Sequence, residues 1–264
     1  MDIQAEESYK ELLRFLRYYR NFGVPIIIGG WAVYFYNPYF GSVDIDVVGP
    51  SMGGAFHDAL DSYVHANSYT LVPIDAMGLQ LAPVKEIRKG RRVVANVELD
   101  AATFEDPIAR RFHEDSEKEL PFSLCWQEEH RKEVKLAKDS VCYVPSKSLL
   151  LLYKIKALRD RSFDLRTKGV TMQPKRVEWL RGKVVKDKTD ILALLDPEPR
   201  NPLINEGTDR GQIKTICARL KIGFCLDTLV RVADDKEALG RYQGYNPDLT
   251  NKKLRTIIDK LVRQ

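Results

Sequence analysis

The stretch Ile26-Ile27-Ile28-Gly29-Gly30-Trp31-Ala32 is followed closely by Ser42-Val43-Asp44-Ile45-Asp46-Val47-Val48. The first stretch predicts a short buried strand that turns at two glycines into a helix. The second predicts another strand, closed by Gly49-Pro50. Alternate side chains of a strand share one face, so Asp44 and Asp46 are expected to project together while the apolar residues between them face the core.

These two stretches bear residue types that suit phosphate and metal chemistry. Two carboxylates about 7 Å apart along one strand can serve as ligands for Mg²⁺. The pair Gly29-Gly30 lets backbone N–H groups approach a phosphate closely, and the helix start adds a favourable dipole. Together they predict a site for Mg²⁺ and a nucleoside triphosphate. The alternative is that Asp44 and Asp46 lie on a solvated strand face and that the two glycines form a plain turn. The free-energy cost of unpaired charges within such an apolar run argues against this alternative.

With this order of residues, the chain resembles the nucleotidyltransferase superfamily of DNA polymerase β. The signature is a strand, Gly-Gly or Gly-Ser at a helix start, and then D-x-D; here Gly30 and Asp44 are 14 positions apart. The resemblance implies an enzyme that moves a nucleoside monophosphate from an NTP to a hydroxyl and releases pyrophosphate. It also implies two Mg²⁺ ions bridged by Asp44 and Asp46, with the phosphates held by Gly29 and Gly30.

The resemblance further implies a third carboxylate on a neighbouring strand. Glu98 and Asp100 both qualify because they share one face by the same alternation, and we favour Asp100 as the metal-binding and catalytic residue. One departure concerns the R-x-T that many members place ahead of D-x-D, where this chain has Phe40-Gly41-Ser42. Ser42 replaces the threonine as a phosphate-contacting hydroxyl, but Phe40 supplies no cation.

The second half is similar to the AbiEii family of toxin-type nucleotidyltransferases, which includes the MenT toxins. The residues that carry this resemblance are Lys154, Arg161, Lys186, Asp187 and Asp190. It implies that Lys154, a catalytic residue, and Arg161 help to bind the triphosphate, and that the chain acts as the toxin of a toxin–antitoxin pair. The alternatives are that both cations lie on the surface of an amphipathic helix and that the two aspartates only anchor that helix.

The pattern of elements predicts an α+β fold with a mixed sheet and flanking helices. Helices are expected at Glu6–Tyr19 and 54–66, and a β-meander at Leu71–Thr103. From Pro145 onward the periodicity is helical. We therefore predict a nucleotidyltransferase catalytic domain at residues 1–145 and a basic helical domain at 146–264.

Composition excludes several classes of protein. The chain is 44% hydrophobic and 30% charged, which is typical of a globular protein and excludes disordered and collagenous chains. Its apolar runs are too short to span a bilayer and its acidic start does not suit a secretory signal, so we expect a cytoplasmic protein without a membrane partner. The four cysteines are expected to be reduced and mostly buried, and the histidines show no zinc-ligand spacing. Trp126 and Trp179 are expected in the core.

Charge is divided unevenly along the chain. Residues 1–128 hold 12 basic and 19 acidic residues, a net charge of −7, and the remainder holds 30 and 18, a net charge of +12. The basic half favours an RNA acceptor, such as a tRNA end, held through its phosphates. Two alternatives stay open: a small-molecule nucleotidyltransferase, and an inactive protein of this fold that binds RNA or a partner protein.

Overall fold

A computed structural model describes residues 2–51, 54–73 and 81–262 of the chain. The helices are α1 (Ile3–Tyr19), α2 (Gly29–Tyr36), α3 (Gly54–Ala66), α4 (Lys147–Lys168), α5 (Pro174–Leu195), α6 (Arg210–Leu220), α7 (Asp227–Ala233), α8 (Lys236–Gln243) and α9 (Asn251–Val262). The strands are β1 (Ile26–Ile27), β2 (Ile45–Gly49), β3 (Thr70–Pro73), β4 (Leu81–Lys89), β5 (Arg92–Thr103), β6 (Arg111–Phe112), β7 (Asp115–Glu119), β8 (Arg131–Ala137) and β9 (Ser140–Pro145). Short 3₁₀ helices lie at Phe122–Trp126, Glu128–His130 and Gly223–Leu226.

The described residues fall into two compact units. The first contains the chain up to Phe35 together with Phe40–Asp106 and Phe122–Ser146. The second contains Tyr36–Tyr39, Pro107–Pro121 and the chain from Lys147 onward. The division into a catalytic domain at 1–145 and a basic helical domain at 146–264 stays a prediction.

A seven-stranded mixed sheet forms the centre of the first unit, in the order β3-β4-β5-β2-β1-β9-β8. Strand β2 runs antiparallel to β1 and parallel to β5, and β1 runs parallel to β9. Strands β3, β4 and β5 form an antiparallel meander at one end of the sheet. The strands that carry the predicted site, β2 and β5, are therefore inner neighbours.

Burial along β2 and β5 follows the alternation expected for a half-buried sheet. Ile45, Val47, Val97 and Leu99 are all buried, whereas the acidic residues between them are not. Helix α1 packs against β5 and β9, and its Leu12, Phe15 and Leu16 are fully buried. The apolar face of the sheet thus lies in the core.

A buried carboxylate, Glu11, joins three elements of the first unit. Its side chain is 1% exposed and accepts hydrogen bonds from Lys85 Nζ of β4 at 2.9 and 3.0 Å. The Tyr63 hydroxyl of α3 donates to it at 2.7 Å, and the Tyr69 hydroxyl at 3.2 Å. Burial, with the adjacent Glu11 charge, raises the pKa of both tyrosines, so both remain hydrogen-bond donors at neutral pH.

The second unit is mainly helical and contains the small antiparallel hairpin of β6 and β7. Helices α4 and α5 pack against each other, and α5 also packs against α7, α8 and α9. Leu149 to Leu152 of α4 are fully buried. Tyr36–Tyr39 joins this unit through Asn37, whose Nδ2 donates to the carbonyl of Ala193 at 2.9 Å and to the hydroxyl of Tyr242 at 2.7 Å.

The structure confirms the predicted fold class, an α+β chain with a mixed sheet, flanking helices and a helical C-terminal part. The four cysteines are buried and unbridged, as expected. The expectation for two tryptophans is wrong: Trp126 is 52% exposed and Trp179 is 43% exposed. The predicted strand across 71–81 lies partly outside the described residues, which give only β3 and the start of β4 there.

No helix within the described residues combines the length and the apolar character needed to cross a membrane.

Replacement of Glu11 by Ala is expected to lower the free energy of unfolding by about 3–5 kcal/mol, because the Lys85 ammonium would remain in the protein without its partner. Glu6→Ala is the matched control on the same helix, since Glu6 is exposed and pairs with the exposed Lys10. It should leave the stability nearly unchanged. Urea denaturation measures the free energy of unfolding of both variants. Equal values for Glu11→Ala and Glu6→Ala would contradict the role given to Glu11.

Candidate active site

The site begins where β1 passes into α2. Gly29 has a φ of +65°, and the Ile28 N–H donates to the carbonyl of Asp46 at 3.0 Å. A Cβ on residue 29 would lie 1.8 Å from Asp46 Oδ2 and 2.5 Å from Asp46 Cγ, so the Asp46 side chain would have to move. Glycine is therefore required both by the left-handed backbone and by the approach of the Asp46 carboxylate.

This contact places a carboxylate beside the start of a helix. The first N–H groups of a helix have no acceptor within it, and they carry the positive end of the helix dipole. That dipole favours a negative charge, whether the carboxylate of Asp46 or a phosphate. The strand–glycine–helix junction can therefore bind an anion through main-chain groups.

A second carboxylate lies beside Asp46 on the neighbouring strand. Asp46 and Asp100 are register partners in the parallel pair of β2 and β5, so their side chains project from the same face. Glu98 lies two residues earlier in β5 on that face, and Asp44 directly precedes β2. Register thus places Asp100, not Glu98, beside Asp46.

The donor atoms around Asp46 are hard oxygens, which suit Mg²⁺. This ion keeps several waters and is usually held by one or two carboxylates together with substrate phosphates. Within the described residues, no three or more His, Cys, Asp or Glu side chains are grouped to hold a metal. The residues present fit an ion shared between the Asp46–Asp100 pair and a phosphate, and Asp44 as a further ligand stays a prediction.

Two further predicted residues lie just before β2. Ser42 is buried, at 4% exposure, in the segment that leads into the strand. Phe40 is exposed, at 49%. A phosphate contact by the Ser42 hydroxyl stays a prediction.

A cavity of about 400 Å³ is lined by residues 98–101 of β5 together with residues of α3, β3 and β4. Glu98 and Asp100 line it on one side, and Leu60 and Val64 of α3 contribute apolar surface. Its volume lies within the range of small-molecule sites. The cavity could therefore hold a small ligand next to Asp100.

Lys154 and Arg161 lie in the second unit, where both are paired with aspartates of α5. Lys154 Nζ is 2.7 Å from Asp190 Oδ2 and 3.7 Å from Asp187 Oδ1. Arg161 pairs with Asp187, and Lys186 Nζ lies 3.0 Å from Asp190 Oδ2. These five residues form what we call the α4–α5 ion cluster.

The α4–α5 ion cluster is largely buried. Burial alone would raise the pKa of the Asp190 carboxyl, but the Lys154 and Lys186 ammonium groups lower that pKa below its ordinary value. Burial would likewise lower the pKa of Lys154, yet Asp190 and Asp187 raise it. The Tyr39 hydroxyl also donates to Asp190. Asp187 and Asp190 therefore anchor α4 to α5, and the phosphate roles of Lys154 and Arg161 stay predictions.

Comparison with solved structures shows a distant similarity. The structure is similar to that of an antigenic nucleotidyltransferase-like protein from Paracoccidioides brasiliensis, with a TM-score of 0.46 and 16% sequence identity. The similarity covers 92% of this chain and 98% of that chain. No family model matches the sequence, and neither does any curated protein.

Gly29→Ala is expected to abolish any activity that depends on Asp46 and to destabilise the fold, because the new methyl group would displace the carboxylate. Gly90→Ala is the matched control: Gly90 has a φ of +63°, and a Cβ there would meet nothing within 4 Å. Both variants carry a backbone strain of about 1 kcal/mol. The contact with Asp46 should therefore make Gly29→Ala lose more thermal stability and more activity than Gly90→Ala. Equal losses of stability and activity in the two variants would show that backbone strain alone requires Gly29.

Lys154→Ala is expected to lower the free energy of unfolding by about 3–5 kcal/mol, because it leaves Asp190 buried without its closest cation. Lys186→Ala, which removes a more exposed cation from the same carboxylate, should cost under about 1 kcal/mol. Adding Asp190→Asn to a Lys154→Met variant should recover part of the loss, as a double-mutant cycle would measure. A KM for NTP that stays raised in the recovered protein would assign Lys154 a phosphate contact as well.

Proposed function

We propose that this chain is a Mg²⁺-dependent nucleotidyltransferase. One observation carries the proposal: the carboxylate of Asp46 lies against Gly29 at the start of a helix and is in register with Asp100 on the next strand. This arrangement offers main-chain N–H groups for phosphates and oxygen ligands for a cation at the same place. Both are requirements of phosphoryl-type transfer from a nucleoside triphosphate.

In the proposed reaction, a hydroxyl oxygen of the acceptor forms a bond to the α-phosphorus of the NTP. The bond from that phosphorus to the bridging oxygen of the β-phosphate breaks, and pyrophosphate leaves with the electron pair. Asp100, the more exposed of the two paired carboxylates, accepts the hydroxyl proton. The N–H groups at the start of α2 orient the triphosphate.

Asp46 and Asp100 would hold Mg²⁺, and Asp44 is the third proposed ligand. The ion supplies charge neutralisation to the triphosphate and lowers the pKa of a bound hydroxyl. Asp46 is positioned for this task by the glycine contact and by its place within a buried strand, which fix the carboxylate before substrate arrives.

We propose RNA as the acceptor, because residues 129–264 carry a net charge of +12 and polyanion binding depends on such charge. A tRNA end is one such acceptor. The cavity beside Asp100 favours a second candidate, a small hydroxylated molecule. A toxin role with a paired antitoxin stays a prediction, and growth arrest upon expression of the chain but not of an Asp46→Asn variant would support it.

The test is incubation of the protein with each α-labelled NTP, Mg²⁺ and total cellular RNA, followed by separation on a denaturing gel. Label in a tRNA-sized band that disappears with EDTA supports the proposed reaction and acceptor. A parallel reaction with a small-metabolite extract, separated by thin-layer chromatography, tests the second acceptor. Absence of label in both reactions, with folded protein, would contradict the proposed activity.

Asp46→Asn and Asp44→Asn are expected to lower transfer by at least about 10²-fold, because each removes a charged oxygen ligand without much change in volume. Asp100→Asn should lower the rate constant of the chemical step more than the affinity for NTP. Glu98→Gln is the matched control on the same face of β5 and should be mild. Single-turnover kinetics separates these effects, and a larger loss in Glu98→Gln than in Asp100→Asn would exchange their roles.

A further inference from the structure

The N-terminal half of α5 exposes a tryptophan within a strongly basic segment. Trp179 is 43% exposed, although large aromatic side chains usually lie in the core. Residues 166–183 contain six basic residues and one acidic residue, a net charge of +5. The whole chain of 264 residues has the same net charge, so this segment is far more basic than the rest.

Most of this charge is exposed to solvent. Arg166 and Lys168 at the end of α4, and Lys175, Arg176 and Arg181 of α5, are all exposed, and Lys183 is half-buried. The basic residues farther along α5 differ, because Lys186 belongs to the α4–α5 ion cluster and Lys188 pairs with Asp235 at 2.5 Å. The exposed segment is therefore distinct from the part of α5 that packs in the unit.

Two cations lie against the exposed indole. The guanidinium carbon of Arg176 is 4.0 Å from the Trp179 ring centroid, and Lys183 Nζ is 5.3 Å from it. Their spacings of three and four residues from Trp179 place all three on one face of the helix. The indole and the guanidinium are both flat groups on which nucleobases stack, and the neighbouring ammonium groups suit phosphates.

We propose that this face of α5, with Lys175, Arg176, Trp179 and Lys183, binds single-stranded RNA. The proposal rests on the proposed function only for the identity of the acceptor. A duplex keeps its bases stacked inside, so an exposed aromatic side chain contributes to binding of unpaired nucleotides and not of a duplex. The cations around the indole give this surface a positive charge that is complementary to a polyanion. An apolar partner would bind unfavourably to so charged a surface.

The first experiment measures binding of a 12-nucleotide single-stranded RNA to the full chain by fluorescence anisotropy, without NTP. Trp179→Ala should bind about 5- to 150-fold more weakly, the range for loss of one stacked base. Trp179→Phe should recover most of the affinity, because it keeps an aromatic face. Trp126→Ala is the matched control: Trp126 is 52% exposed and has the Arg131 guanidinium carbon 5.0 Å from its ring, but lies outside the basic segment.

The second experiment separates this surface from bulk charge. The double change Lys175→Glu and Lys183→Glu should reduce the magnitude of the log–log salt slope by about 1 to 2, as expected for two lost phosphate contacts. Lys252→Glu with Lys253→Glu alters the net charge equally, on exposed positions of α9. This control should retain nearly wild-type affinity and slope.

Several outcomes would overturn the proposal: equal losses in Trp179→Ala and Trp126→Ala, equal losses in the two charge variants, or equal affinity for the single strand and its 12-base-pair duplex. Tighter binding to phosphatidylserine vesicles than to RNA would indicate a membrane surface instead.

NTP transfer is assayed separately on the same proteins. RNA binding that depends on Trp179 without any transfer would contradict the proposed function alone, whereas transfer to RNA that is unaffected by Trp179→Ala would contradict this surface alone.

Discussion

The carboxylate of Asp46 occupies the space that any side chain on residue 29 would need. This one contact ties the start of α2 to β2, since the Ile28 N–H also bonds to the Asp46 carbonyl. Once β2 is fixed, its register with β5 decides which acidic side chain lies next to Asp46. The proposed chemistry therefore depends on a steric constraint, because a methyl group at residue 29 would displace the carboxylate that the rest of the site surrounds.

The strand and the two glycines could be predicted because their signals are local. Alternation of apolar and acidic residues fixes which face of β2 carries Asp46, and a glycine pair marks the turn into a helix. The strand is shorter than predicted, since Asp44 lies in the bend just before β2. The same alternation applies equally to Glu98 and Asp100, so it could not choose between them. That choice depends on the pairing of Asp46 with Asp100, 54 positions later in the chain, which no local pattern contains.

Glu11 and Trp179 show where local patterns mislead. Glu11 lies on a helix whose apolar spacing predicts an amphipathic surface, yet it is buried because Lys85 and two tyrosine hydroxyls from distant elements satisfy it. Trp179 is apolar and lies on a helix with a buried half, yet it is exposed. At both positions, contacts with neighbouring groups decide burial. A charged side chain lies in the core when it is fully hydrogen-bonded, and an aromatic ring stays at the surface when cations lie against it.

Lys154 raises the question of which groups neutralise a bound triphosphate. Its ammonium already lies 2.7 Å from Asp190 and near Asp187, in a place almost closed to solvent. To bind a phosphate there, the lysine would have to exchange one anion for another or share its charge among three, and either change would leave a buried carboxylate less well satisfied. The N–H groups at the start of α2 have no acceptor within their helix, and the carboxylate beside them, Asp46, is only partly buried. Main-chain dipole and metal ion are therefore the better physical basis for phosphate binding in the proposed reaction, and a contribution from Lys154 would have to be coupled to the stability of the α4–α5 ion cluster.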